Sequence, residues 1–141
     1  MKESYKKILV AVDLSEQARR AFQEAIEVTR RNDAHLYILI VSDTNHLGAE
    51  PYAVDHIVKE AQKAASTVVE ALEKTIPEDI SYNTVVDDGN PKAKIVAFAE
   101  EKKIDLILMG ATGTGTFSRL LLGSTTAYLV NNGARNVMVV R

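Results

Sequence analysis

Between Gly110 and Thr125 the chain reads GATGTGTFSRLLLGST, which places four of its seven glycines within 16 residues. Glycine leaves backbone N–H groups bare, so several can converge on one anion. A helix beginning at Ser124 would aim its positive end at the same point. The chemistry suggested is phosphate binding, and the competing reading is a plain surface loop. Gly110 and Gly115 have GxxxxG spacing, but Thr116 and Phe117 stand where a P-loop needs Lys and then Ser or Thr. Without that lysine no point charge faces the β- and γ-phosphates. A GxGxxG read from Gly113 fails at its third glycine, because residue 118 is Ser. It also lies far from the first strand, where a dinucleotide fingerprint belongs.

Other residues able to do chemistry are sparse. Asp13 closes an apolar run, where a carboxylate either caps a helix or faces a ligand. Arg119 is the one cation of the glycine-rich stretch, beside three leucines, where it either meets phosphate or lies over apolar surface. His35, His46 and His56 lack metal-ligand spacing and read as ordinary surface or interface residues. Asp87–Asp88 and Glu100–Glu101 lack a third partner and read as a turn and a solvated helix end. The chain has no cysteine, which excludes disulfides, thiolate metal sites and a cysteine nucleophile.

The elements that must position these residues are legible in the hydrophobic pattern. Ile8 to Val12 is a continuous apolar run, as in a strand buried on both faces. Ala18, Ala21, Phe22, Ala25, Ile26 and Thr29 then follow helical spacing, with Ser15 as N-cap. Leu36 to Val41 predicts a second strand, and TNHLGAEPY a loop or short insertion. Ile57, Val58, Ala61, Ala65, Val68 and Leu72 predict a helix over Val54 to Leu72, stopped by Pro77. Ser81 to Val86 alternates weakly and predicts a strand near one side of the sheet. DDGNP predicts a turn, with Asn90 as N-cap and Pro91 at the first helical position. Ile95, Val96 and Ala99 follow on a short helix ending near Lys103. LILMG delivers a further strand to Gly110, Ser124 to Val130 a short helix, and VMVV a closing strand.

Strands alternating with helices predict one α/β domain over 1–141, a parallel sheet with helices on both faces. In such sheets ligands bind beyond the carboxyl ends of the strands, where Asp13, Val41 and Gly110 fall. The formal net charge of −2 gives no general attraction to nucleic acid or an anionic membrane. The apolar run of MKESYKKILVAVD is too short for a signal-peptide core or a bilayer span. A soluble cytoplasmic protein is the expectation.

Gly110-x2-Gly113-x9-Gly123-Ser124 resembles the G-2x-G-9x-G-(S/T) motif of the ATP-binding branch of the universal stress protein family. KKILVAVDLS, DDGNPKAKIVAFAEE, IDLILMGATG, LLLGST and NVMVVR extend the resemblance over essentially the whole chain. The resemblance implies a five-stranded doubly wound parallel sheet of order 3-2-1-4-5. It also implies ATP, carried with Mg²⁺, as ligand. Ala11, Val12 and Asp13 would line base and ribose, with Asp13 near phosphate-bound magnesium. Val41 would offer its backbone to adenine, and Met109 and Gly110 would form the floor. Gly113, Gly123, Ser124 and Thr125 would hold the phosphates, and Gly89 would shape the turn beside the ribose. Family members pair through the last strand, which implies a homodimer. The segment departs from the family in carrying Thr114 where Arg or Lys often follows the second glycine. The function expected is a regulatory nucleotide-binding module without a catalytic residue. The alternatives are a slow ATPase or autophosphorylating enzyme, and a nucleotide-free dimeric scaffold.

Overall fold

The computed structural model describes residues 3–13, 16–43, 51–111, 122–133 and 135–141. Among them the elements run β1 (Lys7–Val12), α1 (Glu16–Asn32), β2 (His35–Asp43), α2 (Pro51–Glu73) and β3 (Ser81–Gly89). They continue with α3 (Pro91–Glu101), β4 (Leu106–Gly110), α4 (Ser124–Asn132) and β5 (Asn136–Val140). The strands form one parallel sheet in the order β3-β2-β1-β4-β5.

The apolar runs explain the layers. Ile8, Val10 and Val12 pack with Phe22 of α1 and Ala65 of α2 on one face of the sheet. Leu9 and Ala11 pack with Ile95 and Phe98 of α3 and Leu129 of α4 on the other. A strand covered on both sides has no polar face to offer, hence its unbroken apolar sequence. Every residue of the α1 stripe predicted from spacing is buried, Thr29 included. Each large side chain wholly buried here, such as Phe22 or Leu108, contributes about 1.5–3 kcal/mol. Asp105 fixes the entry of the two central strands. Its Oδ2 accepts from the amides of Lys6 and Lys7 at 2.9 and 3.0 Å, and its own amide donates to the Lys7 carbonyl at 2.8 Å.

Several elements differ in extent from the sequence reading, the first being β2, which runs on past Val41 to Asp43. β3 does not stop at Val86, because Asp87, Asp88 and Gly89 pair in register with Val41, Ser42 and Asp43 of β2. Ladder hydrogen bonds there override the poor strand propensity of Asp and Gly. The turn shrinks to Asn90, whose Oδ1 accepts from the Lys92 amide at 3.0 Å, with Pro91 opening α3. α2 begins at Pro51 rather than Val54, since proline suits a first helical turn. Ile57, assigned to the inner stripe, is 41% exposed. Ser15 and His46 lie outside the described residues.

Candidate functional site

The central strand β1 pairs with β2 on one side and β4 on the other, so strand order reverses at this point. The β1–β4 ladder ends at Val10 with Leu108, although the strands run on to Val12 and Gly110. At their carboxyl ends opens a cleft of about 470 Å³. That volume falls in the usual range for small-molecule sites, roughly 300–1,000 Å³. β1 contributes Ala11 and Val12 to its wall, Asp13 follows directly after them, and β2 contributes Val41. β4 contributes Met109 and Gly110, and Gly123, Ser124 and Thr125 close it where α4 begins. One described residue of the proposed set is not on this wall. Gly89 does not line the cleft, and Gly113 lies outside the described residues, as do Thr114 and Arg119.

Gly110 has a steric reason. A Cβ on it would stand 3.0 Å from the backbone carbon of Gln17 and 3.1 Å from its carbonyl oxygen. α1 can therefore bring its first turn against the end of β4 only because residue 110 has no side chain. Three hydrogen bonds then fasten the ground beneath the cleft. The buried Thr126 hydroxyl donates to the Gly110 carbonyl at 2.8 Å. The Gly123 amide donates to the Ala111 carbonyl, and the Ala111 amide to the Val140 carbonyl, both at 2.8 Å. Residues 111 and 123 are thus tied directly together, whatever course the chain takes between them.

α4 begins at Ser124, as the sequence reading has it. Gly123 is the N-cap and Ser124 the first helical residue, so the Ser124 side chain does not cap the helix. Gly123 has φ −58 and ψ 154, a conformation open to any residue, so no positive φ demands glycine there. Its amide is also already engaged with Ala111. What Gly123 offers is the absence of a side chain beside the first turn of α4. The first bond within that helix runs from the Ala127 amide to the Gly123 carbonyl at 2.9 Å. The amides of Ser124, Thr125 and Thr126 precede it and have no intrahelical acceptor. They form the positive end of a helix dipole at the cleft.

Gly89 ends β3 directly before the N-cap of α3. Its φ of 130 lies in the region that favours glycine, and an added Cβ would meet Lys94 Cε at 3.0 Å. Across this glycine Lys94 pairs with Asp87 at 3.3 Å. The cleft also takes walls that the sequence reading assigned to packing alone: Pro91 and Ile95 of α3, and Ala61, Ala65 and Val68 of α2. The alanines at 61 and 65 are one turn apart, a spacing of small residues that signals close approach as well as an inner face. His35 belongs to the opposite edge of the sheet, between Ser81 Oγ at 2.6 Å and Asn83 Oδ1 at 2.7 Å. Among the described residues no cluster of three His, Cys, Asp or Glu could hold a metal ion. No described helix is long and apolar enough to cross a membrane.

Residues 4–141 match the universal stress protein family. A universal stress protein of Methanocaldococcus jannaschii is 32% identical over 143 residues, covering 97% of this chain and 82% of that one. One from Staphylococcus aureus is 33% identical, covering 98% and 85%. Among solved structures, the protein UspA of Lactobacillus plantarum superposes with a TM-score of 0.91 at 32% identity, covering 99% of this chain and 100% of that one. A universal stress protein in complex with cAMP superposes with a TM-score of 0.60 at 27% identity, covering 99% and 98%.

Proposed function

The chain belongs to the universal stress protein family, and on that premise we propose that it is a cytoplasmic regulatory module that binds ATP together with Mg²⁺. The observation carrying this reading is the convergence at one cleft of the open β1–β4 crevice, the side-chain-free Gly110 and Gly123, and the first-turn amides of α4. An apolar floor of Ala11, Val41 and Met109 suits a flat base. The start of α4 suits a phosphate, since N–H groups and dipole point the same way. That a relative holds cAMP supports an adenine nucleotide as the ligand class. Asp13, at the end of β1, is the residue that would face a magnesium ion carried by the phosphates.

We read the site as a binder rather than a catalyst. Its described walls are backbone, apolar side chains and hydroxyls, with the carboxylates of Asp13 and Asp43. Such a surface holds a phosphate chain, whereas transfer needs a base or water-orienting group set against the γ-phosphorus. We also assign the free edge of β5 to pairing with a second copy. Mass spectrometry of small molecules released from gently purified protein, followed by calorimetry with ATP, tests the reading. Recovered or titrated adenine nucleotide is the expected result. Failure of ATP, ADP, AMP and cAMP alike to bind would overturn it.

A further inference from the structure

Resting on that nucleotide reading, we propose that Lys92 supplies the cation for the terminal phosphate and so sets the preference for triphosphate over monophosphate. The sequence places Thr116 where a P-loop would carry its lysine, so Lys92 is a candidate cation for the end of the phosphate chain. Lys92 is the second residue of α3 and directly follows Pro91, which lines the cleft. Its amide is held by Asn90 Oδ1, which fixes where its side chain departs. Its Nζ stands 5.8 Å from the centre of the Tyr128 ring, within the reach of a cation–π contact.

Tyr128 lies one helical turn beyond Ser124 on α4. Helical side chains lean back toward the N-terminus, so its ring leans toward the turn of Ser124 and Thr125. An ammonium held on that ring is therefore about one helical turn from the residues of α4 that line the cleft. This is an unfavourable place for a cation, because the starts of α3 and α4 both carry partial positive charge. Among the described residues Lys92 also has no ion-pair partner, whereas Lys94 on the same helix pairs with Asp87. A phosphate bound at the start of α4 would resolve both deficits at once. The tyrosine ring keeps the ammonium nearby, and the long flexible stem lets it swing to the outermost phosphate.

Calorimetry on the full chain with ATP, ADP and AMP at constant ionic strength tests this, with circular dichroism to confirm folding. The parent should bind ATP more tightly than AMP. Lys92→Met, which keeps an apolar stem over Tyr128, should weaken ATP about five- to tenfold, as expected for one charge-assisted contact in a partly exposed site. It should leave AMP binding within about twofold and flatten the salt dependence of ATP binding. Lys92→Arg should retain the ATP preference, because it retains the charge. If Lys92→Met binds ATP like the parent, or weakens ATP and AMP equally, Lys92 does not meet the terminal phosphate and the nucleotide site stands without it. A parent that binds ATP and AMP equally has the same consequence. A parent that binds neither overturns the nucleotide reading, and the role of Lys92 with it.

Discussion

At the scale of single residues, two glycines of the motif do different work, and the difference can be measured. Gly110 is set by packing, since any side chain there would press on the Gln17 backbone. Gly110→Val should destabilise the fold by about 1–3 kcal/mol, the usual cost of overpacking. Chemical denaturation would show it as a lower midpoint with an unchanged slope. Gly123 has an ordinary backbone conformation, so Gly123→Val should keep the fold at a cost of about 1 kcal/mol for a poorer N-cap. It should nevertheless abolish ATP binding, because the valine side chain would occupy the approach to the α4 amides. Calorimetry beside circular dichroism reads both properties. A folded Gly123→Val that binds ATP as the parent does would remove the phosphate from the start of α4.

At the scale of elements, the site depends on how strand ends and helix starts are held together. α1 is anchored at its far end by Arg30, whose Nε and Nη2 donate to Asp79 at 2.9 and 3.3 Å, while Nη1 donates to Glu27 at 2.8 Å. The Arg30 hydrogen bonds hold the Asp79 carboxyl below its ordinary value of 3.8. A carboxyl lowered by folding adds stability above its unfolded value and loses it as pH falls through the folded one. Asp79→Asn should therefore lower Tm slightly at neutral pH, and the difference should vanish in acid below the usual carboxylate range. Both partners are well exposed, so the effect should be small and shrink further in high salt. Thermal scans of parent and variant across that range check the sign. A difference that grows in acid would mean that the pair does not stabilise α1.

At the scale of the whole molecule, the sheet ends in two edges of unlike chemistry. β3 closes one edge with Asp87 and Asp88, charges that discourage further strand pairing. β5 closes the other as NVMVV, with no charge in the strand and with Val137 to Val140 only half-buried. An uncharged apolar edge is a template for a second strand, and a two-fold pairing of like edges gives a closed dimer. Val139→Glu should shift the protein to a monomer in light scattering at micromolar concentration while leaving its circular dichroism intact. A parent that is already monomeric there would refute the pairing. Because the Ala111 amide is bonded to the Val140 carbonyl, dimerisation at β5 would bear on the same strand end that supports the cleft.

The sequence by itself determined the alternation of strands and helices, the inner stripe of α1, and the placing of Asp13 and Gly110 at strand ends. Burial on both faces forces an unbroken apolar run, and its last residue marks where the backbone emerges. The order 3-2-1-4-5 was legible only through the family resemblance, because no periodicity says which strands are neighbours. Tertiary structure alone decided that DDG is strand and not turn, through pairing with residues 46 positions earlier in the register of Val41 with Asp87. The start of α4 at Ser124 was legible in the sequence, and there tertiary structure added only that Gly123, whose amide is drawn back to Ala111, stands at the N-cap. It also brought Lys92 onto Tyr128, 36 positions away. Local propensity fixes what an element is; contacts between residues distant in sequence fix where it stops and which side chains meet at its end.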